Sequence, residues 1–385
     1  MNKVVIIIPT YNEVENVERM IDVLEEEIFP RIKKDKMELL IVDGKSPDGT
    51  GEMVKRKMKK YDNLTLFLEE KKEGLGAAYK KGMDYAVKKL GADAVIEMDA
   101  DFQHDPKYVV DLVEKFDQGY DYVIGSRFIK GGSVPKEWDL YRKILTFGGG
   151  LFSRFVLFFP NINKVKDVST GLKLTRVKNV LDKVDFDKVA NDFFYKTQIL
   201  YQIVNMGAKI VEIPLQFKLR EKGETKMGFN TVIGTFKAVI LLRLTDPKTL
   251  RFIKFGTVGF IGYVVNATFL ALFSKIGFPE WGSWATSTEM AIISNFTFNN
   301  LWTFKTDQIS GSKKLIFKFF QFNLTSAGAL LIQTIAGTIG VKIFGPQYRQ
   351  ILLPFIILFL VLPYNYFMYN TVIWKTWKFG KKSSK

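Results

Sequence analysis

Between residues 252 and 374 the sequence passes through four apolar stretches, at 252–276, 283–304, 315–344 and 350–374. Each exceeds the roughly 20 residues that a helix needs to cross a bilayer. As core helices of a soluble domain they would leave too little polar surface in that part of the chain to cover them. The pattern predicts an all-α domain of four transmembrane helices over 249–385. The third stretch is overlong, so its first turn is expected at the membrane interface.

Charge orients these spans. Lys248, Arg251 and Lys254 precede the first; Lys305, Lys313, Lys314 and Lys318 separate the second from the third; Lys375 to Lys385 follow the fourth. The other two loops carry Lys275, Lys342 and Arg349 at their edges. The positive-inside rule then places both termini and the middle loop in the cytoplasm, and with them everything before residue 248. Trp281, Trp284, Trp302, Trp374 and Trp377 fall near the span ends, where an aromatic belt is expected. Residues 248–385 hold fifteen Lys/Arg against three acids, most of the chain's net charge of +16. Such a stretch between apolar runs, without nucleic-acid motifs, points to an anionic membrane surface and against nucleic acid as a partner. The chain has no cysteine, which excludes disulfides and thiolate metal sites. At the amino terminus Val4–Ile8 is too short for a signal peptide and reads as a first β-strand. The expected location is the cell membrane, multi-pass, with a cytoplasmic amino-terminal domain.

Residues 1–228 alternate short β-rich runs with helical ones. Strands are expected at Val4–Ile8, Leu39–Val42, Leu64–Leu68, Ala94–Met98 and Tyr122–Ile124, with helices between them such as Val14–Phe29 and Gly49–Lys60. This is an α/β pattern with a mostly parallel sheet. Ligands of such sheets bind beyond the carboxyl ends of the strands, so the residues after each strand matter most. Two further segments, Tyr141–Phe159 and Phe229–Leu244, mix apolar faces with scattered Arg and Lys and read as helices in the membrane interface. The second belongs to a linker, 229–248, leading to the membrane domain.

The strongest chemical pattern is Asp99-Ala100-Asp101-Phe102-Gln103-His104, directly after a strand. Two carboxylates at i and i+2 with a nearby amide oxygen suit a hard cation such as Mg²⁺ or Mn²⁺, which would neutralise a departing diphosphate. Asp105-Pro106 reads as the cap of the next helix. Strand one ends in Pro9-Thr10-Tyr11-Asn12-Glu13, a ring to stack on a base with acceptors beside it. Strand two ends in Val42-Asp43, then Ser46-Pro47-Asp48-Gly49-Thr50, and Asp43 can hold a ribose or base edge. Lys71 to Ala77 contains Gly74 and Gly76, which allow close approach of backbone to ligand. Gly125-Ser126-Arg127 follows the fifth strand.

Over residues 3 to about 230 these stretches together resemble the family-2 glycosyltransferases of GT-A fold, and within them the dolichol-phosphate mannose synthases. The matching motifs are Pro9–Glu13, Val42–Thr50, Gly74–Ala77, Asp99–His104, Gly125–Arg127, Asp167–Gly171 and Arg220–Lys226. Residues 252–374 resemble a GtrA-like membrane domain, most clearly at Asn295-Phe296 and Trp302-Thr303-Phe304. The resemblance implies that Pro9, Tyr11, Glu13, Val42 and Asp43 hold the nucleoside. It gives Asp99, Ala100, Asp101 and Gln103 to sugar, diphosphate and metal, with Asp101 and Gln103 as direct metal ligands. Arg127, Arg142 and Thr146 would bind the acceptor phosphate, and Arg220 and Lys226 would close over the donor diphosphate. Asp101 and Arg127 would be the catalytic pair. The implied reaction moves mannose from GDP-mannose to dolichol or another polyprenyl phosphate with inversion. Two positions depart from the family: Asp43 is followed by Gly44 rather than a second aspartate, and Gln198 replaces a glutamate.

A lipid phosphate is already an anion, so its attack needs no general base. The one histidine, His104, is read as structural. Three readings compete: the same chemistry with UDP-glucose, a translocator of lipid-linked sugars suggested by Glu289 inside the second span, and transfer to a glycan, which would require a catalytic base.

Overall fold

The structure is a computed structural model that describes residues 1–159, 161–219 and 229–377. The chain divides into two compact units, Met1–Arg243 and Leu244–Lys385.

In the first unit seven strands form one sheet: β1 (Lys3–Thr10), β2 (Lys36–Asp43), β3 (Leu64–Leu68), β4 (Ala94–Glu97), β5 (Tyr122–Ser126), β6 (Lys173–Arg176) and β7 (Ile210–Pro214). Their order across the sheet is β3-β2-β1-β4-β6-β5-β7. All neighbours are parallel except β6, which runs antiparallel to both β4 and β5. The apolar runs of β1 and β2 are continuous because both sheet faces are covered. Val4, Ile6 and Ile8 pack against α1 (Val14–Val23), α2 (Thr50–Lys57) and α4 (Tyr108–Asp117). Val5 and Ile7 pack on the opposite face, which α3 (Leu75–Lys88), α5 (Leu140–Phe158), α6 (Tyr195–Met206) and Val239 of α7 (Phe229–Thr245) cover. The expected α/β class with a mostly parallel sheet is what the chain forms. The sequence reading did not name β6 and β7; β6 is four residues, Lys-Leu-Thr-Arg, too short and polar to show a strand pattern.

In the second unit the apolar stretches are helical: α8 (Pro247–Lys275), α9 (Glu280–Phe298), α10 (Ser312–Phe344), and α11 (Arg349–Ile356) continuing through Ile357–Val361 into α12 (Leu362–Met368). Among the described residues, Pro247–Phe273 is long and apolar enough to cross a membrane, with a mean hydropathy of 1.6, and Ile357–Ile373 is a shorter apolar helix. Its core is aromatic: Phe255, Phe296, Phe304, Phe322, Tyr369 and Trp374. Trp374 is not the belt residue expected from its position. It is 6% exposed, stacks on Phe304 with ring centroids 4.2 Å apart and donates its indole N–H to Asn300 Oδ1 at 3.1 Å. The same amide closes the turn after α9, accepting from Ile309 N and donating to Ile309 O. A buried indole finds its partner there rather than at a lipid headgroup. Trp302 and Trp377 are exposed, as a belt requires.

Candidate active site

The site lies at the carboxyl ends of the parallel strands, where the chain leaves β1, β2, β4 and β5. The first two exits are laced together. Asn12 adopts a left-handed conformation with φ 56° and donates its N–H to Ser46 Oγ; Val14 N donates to Asp48 Oδ2 and Glu13 N to Thr50 Oγ1. Asp43 is 1% exposed and holds this turn: Oδ1 accepts from Thr10 Oγ1 and Ser46 Oγ, and Oδ2 from Ser46 N. Its carboxylate thus also shapes the loop. Tyr11 presents a half-buried ring with Lys72 Nζ 3.6 Å from its centroid. Pro9 and Val42 pair in the β1/β2 ladder beneath it.

Gly44 sits against this group. A Cβ placed there would lie 3.4 Å from Tyr11 Cδ2 and 3.6 Å from Glu69 Oε2. Glu69 is 5% exposed and pairs with Lys81 at 2.9 Å through its other oxygen. A buried carboxylate therefore points at the place where an acidic side chain at position 44 would begin. The sequence reading missed Glu69, which looks like one charge in a run of Glu and Lys until β3 places it.

Gly74 and Gly76 make room for another part of the chain. Cβ atoms there would fall 2.4 Å from Asn191 O and 2.5 Å from Ala190 O, so the glycines admit the chain's own 190–192 segment. Gln198 fixes that segment from the other side, accepting from Ala190 N at 2.6 Å and donating to Lys188 O at 3.0 Å. A carboxylate could not do both, which explains an amide at this position.

After β4, Phe102 turns the chain at φ 58°, and Gln103 N donates to Asp101 Oδ1 at 3.1 Å. Asp101 and Ala100 are buried at 4% and 5% exposure. Asp99 faces a different set: Tyr79 Oη donates to Oδ1 at 3.2 Å, and Lys196 Nζ and His104 Nδ1 lie 3.8 and 3.7 Å from Oδ2. Gly171 makes room for them, since a Cβ there would come within 3 Å of Asp99 Oδ2, His104 Cε1 and Lys196 Nζ. Burial pushes the His104 imidazole down to about 4; the Asp99 charge opposes this, the charges of Lys196 and Arg127 add to it, and the ring is neutral near pH 7. Lys196 is 2% exposed on the otherwise apolar inner face of α6, and that misplaced charge was the signal available in the sequence.

Among the described residues no three His, Cys, Asp or Glu side chains converge as a metal cage. The oxygen donors on this loop nevertheless fit Mg²⁺ or Mn²⁺, which commonly take one or two protein ligands and fill the remainder from substrate phosphates and water. Asp101 and Gln103 are the residues that would hold it, because Asp99 is turned toward Lys196 and Tyr79.

Arg127 follows β5 and is locked in a fork: Nε and Nη2 donate to Asp167 Oδ2 and Oδ1, both at 2.7 Å, and Nη2 also reaches Ser169 Oγ. Burial pushes the Asp167 carboxyl up, but the Arg127 charge and its hydrogen bonds outweigh this and hold it below the usual carboxylate range. Arg142, on the first turn of α5, lies 4.1 Å over the Trp138 ring. Trp138 meets Phe217 edge-on, and Phe217 in turn carries Arg127 at 5.4 Å and touches His104. Two guanidinium groups are thereby joined through an aromatic relay next to the acidic loop. Lys218 N donates to Gln103 O at 3.0 Å, tying the segment after β7 to the same loop. Arg220 and Lys226 lie outside the described residues. Thr146 is half-buried one turn beyond Arg142, and α5 exposes Leu140, Ile144, Phe147, Leu151 and Phe155 along one stripe. Phe152 packs on Phe236 of α7, which also exposes Ile233, Ile240 and Leu241.

The acidic loop after β4 and the buried guanidinium fork after β5 lie at one edge of an α/β domain, and comparison with known proteins gives its class. Residues 5–178 match Glycosyl transferase family 2, and residues 254–374 match the GtrA/DPMS transmembrane domain. A dolichol-phosphate mannosyltransferase of Pyrococcus furiosus is 34% identical over 79% of this chain and 81% of its own length. A polyprenol monophosphomannose synthase of Mycolicibacterium smegmatis is 33% identical over 61% of this chain and 85% of its own. An undecaprenyl-phosphate mannosyltransferase of Micrococcus luteus is 31% identical over 59% and 88%. The chain belongs to glycosyl transferase family 2 and is a glycosyltransferase that carries a GtrA/DPMS transmembrane domain.

Proposed function

We propose that the protein transfers mannose from GDP-mannose to the phosphate of dolichol or another polyprenol, giving the β-linked lipid phosphomannose. The observation that carries this reading is the pairing of Arg127 and Arg142, through Trp138 and Phe217, with the apolar stripe that begins at Leu140. Such a surface suits an acceptor with an anionic head and a long apolar tail. The named relatives act on polyprenol phosphates.

In this mechanism an acceptor phosphate oxygen attacks the anomeric carbon as the bond from that carbon to the diphosphate breaks. Arg127 orients the attacking phosphate, with Asp167 keeping its guanidinium in one geometry, and Arg142 and Thr146 complete the acceptor site. No side chain has to remove a proton, and His104, lowered to about 4 by burial, is a weak base. Tyr11 stacks the base, Pro9, Val42 and Glu13 line the nucleoside, Asp43 holds the loop around it, and Ala100 lies under the sugar. Glu69 supplies the acceptor for guanine that Gly44 lacks. Asp101 and Gln103 would hold Mg²⁺ or Mn²⁺, whose charge would offset that of the departing diphosphate. Asp99, positioned by Lys196 and Tyr79, contacts the sugar, and Arg220 and Lys226 close over the donor. Inversion follows from in-line attack, and positioning supplies most of the rate.

The membrane domain spans the bilayer with four helices, the catalytic unit lies on the cytoplasmic side, and α5 and α7 rest in the interface. The observation favouring UDP-glucose as donor is Gly44, and Glu69 weighs against it. The test is transfer of radiolabel from GDP-mannose and, in parallel, from UDP-glucose to dolichol phosphate in detergent with Mn²⁺. Label from GDP-mannose, lost with Asp101→Ala, is the expected result; label from UDP-glucose alone would replace the donor, and transfer from neither would overturn the reading.

A further inference from the structure

The first turn of α6 carries a cation where two effects oppose it. Lys196 is the second residue of the helix, at the end whose dipole disfavours positive charge. It is also 2% exposed, and a buried ammonium is costly unless it is paired. The turn is nevertheless pinned to the sheet by polar contacts. Tyr195 donates its hydroxyl to Glu97 Oε2 of β4 at 2.7 Å, and Lys173 Nζ of β6 reaches Lys196 O at 3.5 Å. Held in this way, Lys196 points Nζ at Asp99 Oδ2, 3.8 Å away.

A third element yields space for that pairing. Gly171 lies just before β6, and a Cβ there would fall 2.7 Å from Asp99 Oδ2 and 2.9 Å from Lys196 Nζ. Any side chain at position 171 would push the two apart. Asp99 is the outward end of the arrangement: its side chain is 30% exposed at the carboxyl end of β4, whereas that of Lys196 behind it is 3% exposed. Tyr79 donates to Oδ1 from the protein side at 3.2 Å. A carboxylate backed in one orientation by a counter-charge and a phenol accepts hydrogen bonds from hydroxyls and repels phosphate oxygens. It therefore distinguishes the two halves of a sugar nucleotide, attracting the hexose and giving nothing to the diphosphate.

We propose that Lys196 is a positioning residue which, through Asp99, makes the donor site favour the sugar-loaded nucleotide over the nucleoside diphosphate left after transfer. This rests on the reading above in which Asp99 contacts the transferred sugar. Once the sugar has moved to the acceptor, the product nucleotide lacks the hydroxyls that Asp99 accepts from. Lys196 thus sets how strongly donor outcompetes product for the same pocket.

The full chain in detergent with Mn²⁺ tests this, with titration calorimetry giving the affinities of GDP-mannose and of GDP. Lys196→Met should weaken GDP-mannose about tenfold, the effect of losing one charge-assisted hydrogen bond, and leave GDP within about twofold. In an Asp99→Asn background the same substitution should change GDP-mannose by less than about twofold, because the group it acts through is gone. Gly171→Ala keeps both charges and forces them apart, so it should reproduce the sugar-selective loss, and it decides alone if Lys196→Met does not fold. Equal weakening of GDP and GDP-mannose would overturn the proposal and assign Lys196 to the shape of the loop. A Lys196 effect undiminished by Asp99→Asn would overturn it as well. UDP-glucose and UDP are titrated in parallel: a selective loss on that pair alone would strike the donor assigned above and leave the role of Lys196 standing.

Discussion

Replacing Asp167 by Asn tests whether the fork on Arg127 is what fixes the acceptor side of the site. The side chains are 0% and 8% exposed, so solvent screens the pair little. Asp167 accepts from Arg127 N, Nε and Nη2 and from Ser169 N and Thr170 N. The amide keeps the shape but removes the charge and turns an NH₂ toward the guanidinium. Breaking a buried pair from one side costs about 3–5 kcal/mol, because the remaining charge stays buried and uncompensated. For a folding unit of this size each kcal/mol shifts the melting temperature by about 2–4 °C, so a loss of about 6 °C or more is expected. Transfer should fall in parallel, with the larger effect on the acceptor KM. The assays are thermal unfolding followed by tryptophan fluorescence and acceptor titration of the transfer rate. The pH dependence has a definite sign. The folded carboxyl lies below its unfolded value of 3.8, so the pair's contribution is complete above that pH. It is lost as pH falls through the lower folded value, and Asp167→Asn should not show that loss. A variant that melts within 2 °C of wild type and keeps its acceptor KM would refute the positioning role.

Three further outcomes are expected. Lys173 is fully buried on β6, and desolvation lowers its ammonium to about 8 from 10.5, so wild type should gain stability relative to Lys173→Met as pH rises from 8 to 10.5; parallel melting curves over that window would contradict this. Glu69→Gln should raise the KM for GDP-mannose by about tenfold with little change in kcat, as expected for one charge-assisted hydrogen bond, and an unchanged KM removes Glu69 from base recognition. Gln198→Glu places a carboxylate against the Lys188 carbonyl and should cost about 1–3 kcal/mol by thermal unfolding; a neutral result would show that the 188–190 segment is held by other contacts.

The placement of Tyr11 after β1, Asp43 after β2, and Asp99 and Asp101 after β4 was legible because these residues follow strands with strong apolar patterns. Each could be placed at the same sheet edge before any coordinates were known. The roles within that edge were less legible. Asp43 was expected to hold the nucleoside, and the structure adds its bonds to Thr10 and Ser46, which nothing in Val-Asp-Gly reveals. Glycines 74 and 76 signalled a close approach, but sequence cannot say whether the approaching group is a ligand or residues 190–192. The aromatic relay was not read at all, because Trp138 and Phe217 are 79 positions apart and meet only through β7 pairing beside β5. Trp374 was misplaced for a related reason: position near a helix end suggested lipid, and the partner that buries it, Asn300, is a long-range contact.

The reversed direction of β6 has a consequence for the order in which the enzyme can assemble. Strands β3, β2, β1 and β4 are joined by short parallel crossovers and are complete once residue 97 has formed. Strand β5, though next in the chain, has no place beside β4 until residues 173–176 insert between them. The side of the cleft built on β1, β2 and β4 can therefore form on a nascent chain before the side built on β5. The Arg127 fork waits for Asp167, whose segment leads into the inserting strand. A chain ending before residue 167 would hold the β1, β2 and β4 exits together but neither β5 in the sheet nor a complete Arg127 fork.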